Sequence, residues 1–176
     1  MKFFPKNLNS IRNSKNVIMS EKDKINRGGE SNALFLTVES IKELWTKTYN
    51  TEGKPDWSHL LPYYDDNIHF RDTIQELHGI EAFSEMTARL AERSNDLNMK
   101  VVNVVLVENL AFVEWELTLS FKKRPSSILH GSSRLTINDE GKICEQRDYY
   151  DLWGDIFDNI PRFGKAYRKF VIRKFG

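Results

Sequence analysis

The stretch VEWELTLSFK, residues 113–122, alternates without a break: Val113, Trp115, Leu117, Leu119 and Phe121 fall on one side, and Glu114, Glu116, Thr118, Ser120 and Lys122 on the other. Successive side chains of a strand point to opposite faces, so this pattern describes an antiparallel strand with one face over a core and the other in water. Just upstream, Met99 to Val107 is rich in β-branched residues and reads as a second strand, with Asn109 marking the turn between the two. Downstream, Ser133, Leu135 and Ile137 carry the alternation onto a third strand. The run NDEG at 138–141 is a hairpin turn, and Lys142 to Tyr150 makes a fourth strand. The second half of the chain is therefore a β-meander.

Ahead of the meander the period is that of a helix. From Thr37, the apolar residues Val38, Ile41, Leu44, Trp45 and Tyr49 share one face, with Thr37 placed to cap and Glu39 in the first turn. The segment from Asn50 to Pro55 breaks this helix. Asp56 then caps a short turn carrying Leu60, Leu61 and Tyr64, and a short strand from Ile68 to Asp72 comes next. After Gly79, Ile80, Phe83, Met86 and Leu90 form another stripe, with Glu81, Glu85 and Arg89 four apart on the wet side. Helices succeeded by a run of strands predict an α+β domain.

Length and charge set the remaining bounds. A chain of 176 residues fills one domain, and a net charge of +1 gives no global field toward nucleic acid. Residues 1–31 are rich in Asn, Ser and Lys with no sustained apolar period, and are expected to be a flexible arm before a domain at 32–160. Cys144 is the only cysteine, which excludes an intramolecular disulfide and makes a reducing compartment the simplest setting. No apolar stretch approaches the ~20 residues that span a bilayer, so a cytoplasmic location is expected. The end, residues 161–176, reads as a basic amphipathic helix whose Phe and Tyr residues interleave with Lys165, Arg168, Lys169, Arg173 and Lys174. Such a helix suits either weak contact with an anionic membrane through residues 162–176 or docking on its own domain or a partner.

The motifs of nucleotide and serine-nucleophile chemistry are absent from the sequence. His59, His69, His78 and His130 lack the spacing that sets two imidazoles on one helix face, so neither a metal nor a cofactor is expected. Asp72 has the chemistry to abstract a proton, yet an aspartate after a strand also caps turns. Trp115, Trp45, Tyr49 and Phe70 read as core or as the wall of a pocket.

Two stretches taken together, YYDDNIHFRDTIQELHGIEAF at 63–83 and GKICEQRDYYDLW at 141–153, resemble the SnoaL-like branch of the nuclear transport factor 2-like superfamily. The resemblance runs over roughly Val38 to Ile160. It implies a strongly curved sheet wrapped around the helices, a cone-shaped apolar pocket and a homodimer formed through the sheet. The superfamily includes ketosteroid isomerase, limonene epoxide hydrolase and polyketide cyclases, alongside members that only bind. On that resemblance, Asp148 matches the first carboxylate of the epoxide hydrolase string, while that enzyme's arginine and second aspartate fall on Trp115 and Leu117. Asp72 stands where ketosteroid isomerase has its base, and that enzyme's tyrosine and protonated aspartate fall on Trp45 and Ser133, with Tyr49 one turn later as a substitute.

The resemblance also turns Asp148 inward, in phase with Gln146 and Tyr150, where an acid needs a partner or a raised pKa. The bland counterpart is a structural ion pair with Arg147 or another basic residue. The resulting expectation is a pocket for a small apolar molecule, with Asp148 and Asp72 as acid-base groups and Trp45, Tyr49, Phe70, Trp115, Ser133 and Tyr150 as ligand contacts. The alternative is a non-catalytic interaction module acting through the outer sheet face or the basic tail.

Overall fold

The structure, a computed structural model, describes residues 35–49, 54–121, 126–157, 160 and 162–176. The arm expected over residues 1–31 lies outside the described residues.

Helix α1 spans Val38–Tyr49 and opens on a reciprocal pair, with the Ser40 amide donating to Thr37 Oγ1 at 3.1 Å and the Thr37 amide to Ser40 Oγ at 2.8 Å. Two of the orphan amides at a helix start are satisfied in this way, as the capping residue predicts. Helix α2, Ile80–Arg93, begins just after Gly79, whose φ of 86° is ordinary for glycine alone. The strands are β1 Tyr64–Arg71, β2 Glu76–His78, β3 Ser94–Val107, β4 Leu110–Phe121, β5 Ser127–Ile137 and β6 Ile143–Tyr150. They form one six-stranded curved sheet in the order β2-β1-β6-β5-β4-β3. All neighbours are antiparallel except β1 and β6.

The α+β class and the meander are as the sequence predicts. The first strand differs: it begins at Tyr64, expected on the preceding turn, and ends at Arg71, leaving Asp72 in the loop beyond it. The three-residue strand β2 has no counterpart in the sequence pattern, because a segment so short shows no period. A turn of 3-10 helix at Leu61–Tyr63, with Pro62 inside it, ends where β1 starts.

The core lies between the helices and the inner face of the sheet. Ile41 and Trp45 of α1, Phe83 of α2, and Val113, Leu135 and Ile143 of the sheet are all buried. Among the register shifts of the sheet are two bulges that change which residues face inward. In β3 the register slips between Val101 and Asn103, so that Val102 and Val105 come to the outside. In β6, Thr136 pairs with Glu145 while Ile137 pairs with Ile143, so Cys144 is an extra residue. An extra residue inverts the phase of the strand beyond it: Ile143 and Gln146, three apart, are both buried.

After β6, Asp151 accepts from the Trp153 and Gly154 amides and caps a π-helical turn, Leu152–Ile156. Helix α3, Phe163–Phe175, comes last, and its Tyr167 ring stacks on Trp153 at 4.4 Å. Among the described residues no helix is long and apolar enough to cross a membrane.

Candidate active site

The concave face of the sheet and the two helices α1 and α2 enclose a cavity of about 360 Å³. Its wall is mostly apolar, from Trp45 on α1 to Phe83 and Leu90 on α2 and Trp115, Leu117 and Leu129 on the sheet. Into it project the side chains of Asp148, Asp72, Tyr49, Tyr64 and Tyr150. Arg89 and Arg93, exposed on the last turns of α2, also border it and set cationic groups at its opening.

The β6 bulge delivers Asp148 to the inner face, where it lies opposite Ser133 in the β5 ladder. The residual exposure of its side chain is toward the cavity. Gln146 Nε2 donates to Asp148 Oδ1 at 2.9 Å, and the Ser133 hydroxyl is a second hydrogen-bond partner. Each donor is itself held. The Tyr64 hydroxyl donates to Gln146 Oε1 at 2.5 Å, which leaves the amide nitrogen to face the carboxylate. The Trp115 indole donates to Ser133 Oγ at 3.0 Å, so the hydroxyl proton is left for the acid.

Burial dominates the protonation of Asp148 and, with the charge of Asp72, raises its pKa to about 6 against the pull of Ser133 and Gln146. An acid of this strength exchanges its proton near neutral pH, which is what general acid-base work requires. Burial and the Asp148 charge push the Tyr49 and Tyr64 hydroxyls well above the usual phenol range, so both stay protonated donors. Tyr49 is also hydrogen-bonded by Trp57, whose indole can only donate, so the Tyr49 proton points elsewhere.

Replacing Tyr64 by Phe releases Gln146 from its fixed orientation and removes part of the donation to Asp148. The Asp148 pKa is expected to rise further above 6, measured by carboxyl carbon NMR; an unchanged or lower value would contradict the relay.

Asp72 borders the same cavity but is bound differently. Its Oδ1 accepts from the Ile74 and Gln75 amides, both at 2.7 Å, and its Oδ2 accepts from the Tyr150 hydroxyl at 3.3 Å. It therefore closes the loop between β1 and β2 and orients Tyr150. Trp45 and Tyr49, one turn apart on α1, both line the cavity, as do Phe70, Trp115, Ser133 and Tyr150. The structure thus gathers all eight candidate residues of the sequence around one cavity. The alternative of an ion pair between Asp148 and Arg147 does not hold: Arg147 lies over the Tyr149 ring at 5.2 Å on the outer face. Gln146, Tyr64 and Trp57 join the site from outside the sequence-based set, and only Gln146 carries a signal in the sequence, its phase with Asp148.

A curved sheet closed by helices over one apolar cavity defines the nuclear transport factor 2-like class, shared with ketosteroid isomerase-like proteins. The chain belongs to the SnoaL-like domain family, whose model matches residues 45–146. Solved structures agree on the fold. A hypothetical protein with a ketosteroid isomerase-like fold from Catenulispora acidiphila, in complex with trimethylamine, is 16% identical with a TM-score of 0.60, covering 70% of this chain and 93% of its own. An LEH-like epoxide hydrolase from M. tuberculosis is 16% identical with a TM-score of 0.57, covering 75% of this chain and 94% of its own. A protein assigned as a SnoaL-like polyketide cyclase from Jannaschia sp. CCS1 is 21% identical with a TM-score of 0.55, covering 70% and 92%. No curated protein matches the chain in sequence.

Proposed function

We propose that the chain takes a small apolar molecule into this cavity and moves a proton on it without a cofactor, with Asp148 as the proton carrier. The observation that carries this reading is a carboxyl group with a pKa of about 6, facing an apolar cavity of about 360 Å³ and held by two oriented donors. A volume of that size suits a compact organic molecule. Tyr49 supplies an O–H donor for an oxygen of the ligand. The reaction class is then isomerisation or cyclisation of a carbonyl compound: Asp148 takes a proton from the carbon beside the carbonyl, and Tyr49 steadies the enolate oxygen. Asp148 returns the proton to another carbon. Asp72 acts through its charge on Asp148 and its hold on Tyr150. Arg89 and Arg93 favour a ligand whose outer end is acidic or strongly polar.

Water addition of the epoxide hydrolase type has less support, because Trp115 and Leu117, both buried, stand where that mechanism's arginine and second aspartate fall. What supports a homodimer through the sheet is the outer face, where Val105 and Phe112 pair across β3 and β4 and are 48% and 43% exposed.

The test is proton exchange in D₂O. Incubated with a panel of small cyclic and aromatic ketones, the chain is expected to incorporate deuterium beside the carbonyl of those that quench its tryptophan fluorescence, and Asp148→Asn to incorporate none. Ligands that bind but exchange at equal rates in both chains would reduce the role to binding.

A further inference from the structure

The hairpin of β1 and β2 turns a different set of side chains outward, away from the cavity. Its register sets His69 directly opposite His78, and the strand period brings Glu76, two residues before His78, to the same side. The two imidazoles lie parallel, 4.4 Å between centroids and 6° between planes. His69 Nε2 is 2.7 Å from Glu76 Oε1. One ligand atom from each of the three lies within 4.8 Å of the others.

The donor set is selective. Two imidazole nitrogens and one carboxylate oxygen suit borderline divalent ions such as Zn²⁺ and Cu²⁺, whereas Mg²⁺ and Ca²⁺ require oxygen ligands throughout. We propose that His69, Glu76 and His78 form a surface site for a divalent transition-metal ion of this kind, with water in the remaining positions. Bonds of about 2.0–2.1 Å set tetrahedral donors roughly 3.3 Å from one another, so the widest pair closes by at most about 1.5 Å while His69 Nε2 and Glu76 Oε1, now 2.7 Å apart, separate slightly. They can do so by rotation alone, since His69 and Glu76 are 37% and 44% exposed and His78 is exposed as well. Arg71 Nε, 3.7 Å from Glu76 Oε2, occupies the other oxygen and leaves Oε1 as a single ligand atom. The ion would clamp the stem of the loop that presents Asp72, Ile74 and Gln75 to the cavity.

The experiment is a calorimetric titration of the metal-stripped full chain with Zn²⁺, with Mg²⁺ as control. Saturable Zn²⁺ binding is expected, weakened about tenfold or more in His69→Ala and in His78→Ala, and unchanged in His130→Ala. Circular dichroism checks that the variants are folded. Independently of any variant, Cu²⁺ bound to the unaltered chain should show electron paramagnetic resonance splitting from two imidazole nitrogens. Zn²⁺ affinity equal in the wild type and in the His69→Ala/His78→Ala double variant, or a Cu²⁺ spectrum without nitrogen splitting, would overturn the site.

Discussion

Asp148→Asn is expected to make the chain more stable than the wild type at pH 8 and nearly equal to it at pH 4. The folded Asp148 pKa of about 6 lies above the ordinary carboxyl value of 3.8. Between those values the folded state binds more protons than the unfolded state, so wild-type stability falls as pH rises and levels off only above about 6. A raised pKa of this size corresponds to at most about 3 kcal/mol at neutral pH. Asparagine keeps an oxygen to accept from Gln146 and carries no charge to bury, so the variant escapes that loss. Melting temperatures of both chains across pH 4 to 8 give the answer. A difference that does not change with pH would mean that Asp148 titrates as an ordinary carboxylate, and the proposed chemistry would lose its proton carrier. A chain that tolerates a destabilising acid in its cavity is behaving as active sites do, where function is held against stability.

A comparably large effect is expected at Gly131, in the middle of β5. A β-carbon there would stand 2.4 Å from Trp115 Cη2 and 2.6 Å from its Cζ2, well inside van der Waals contact. The indole cannot withdraw freely, because it is only 5% exposed and its nitrogen is held by Ser133. Gly131→Ala should therefore cost roughly 1–3 kcal/mol by overpacking and lower the melting temperature by several degrees. Combining it with Trp115→Phe, which removes the clashing atoms, should recover most of that loss. If the double variant is no more stable than Gly131→Ala alone, the glycine has some purpose other than seating the indole. The same steric argument explains why a residue that weakens strands sits in a central one.

The sequence discloses most where a pattern is long enough to repeat. The alternation over Val113 to Phe121, the stripe from Ile80 to Leu90 and the NDEG hairpin each read directly, and with them the α+β class. The strand β2 is hidden because three residues cannot show a period, and with it goes the pairing of His69 with His78, which depends on register and not on spacing. The phase of β6 is legible only through family resemblance. Counted in twos from the buried Ile143, Asp148 would face outward, and the bulge at Cys144 that corrects this leaves no mark in composition. The cavity residues are accessible as types, aromatic or acidic, while their wiring is not. Tyr64 and Gln146 are 82 residues apart, and nothing local announces that one holds the other.

That bulge makes the interior a matter of parity. Cys144 is one odd step in a strand that otherwise counts in pairs. Removing Cys144 would close the ladder into a regular strand, with Ile143, Gln146, Asp148 and Tyr150 still opposite the same residues of β5 and on the same side. The acid would keep its place in the cavity although its number in the chain had changed by one, because its partner on β5 fixes its side. Chains that differ by this single codon can thus keep one interior while their sequences fall out of step by one at the acid, an offset that residue-by-residue comparison of catalytic positions would misread.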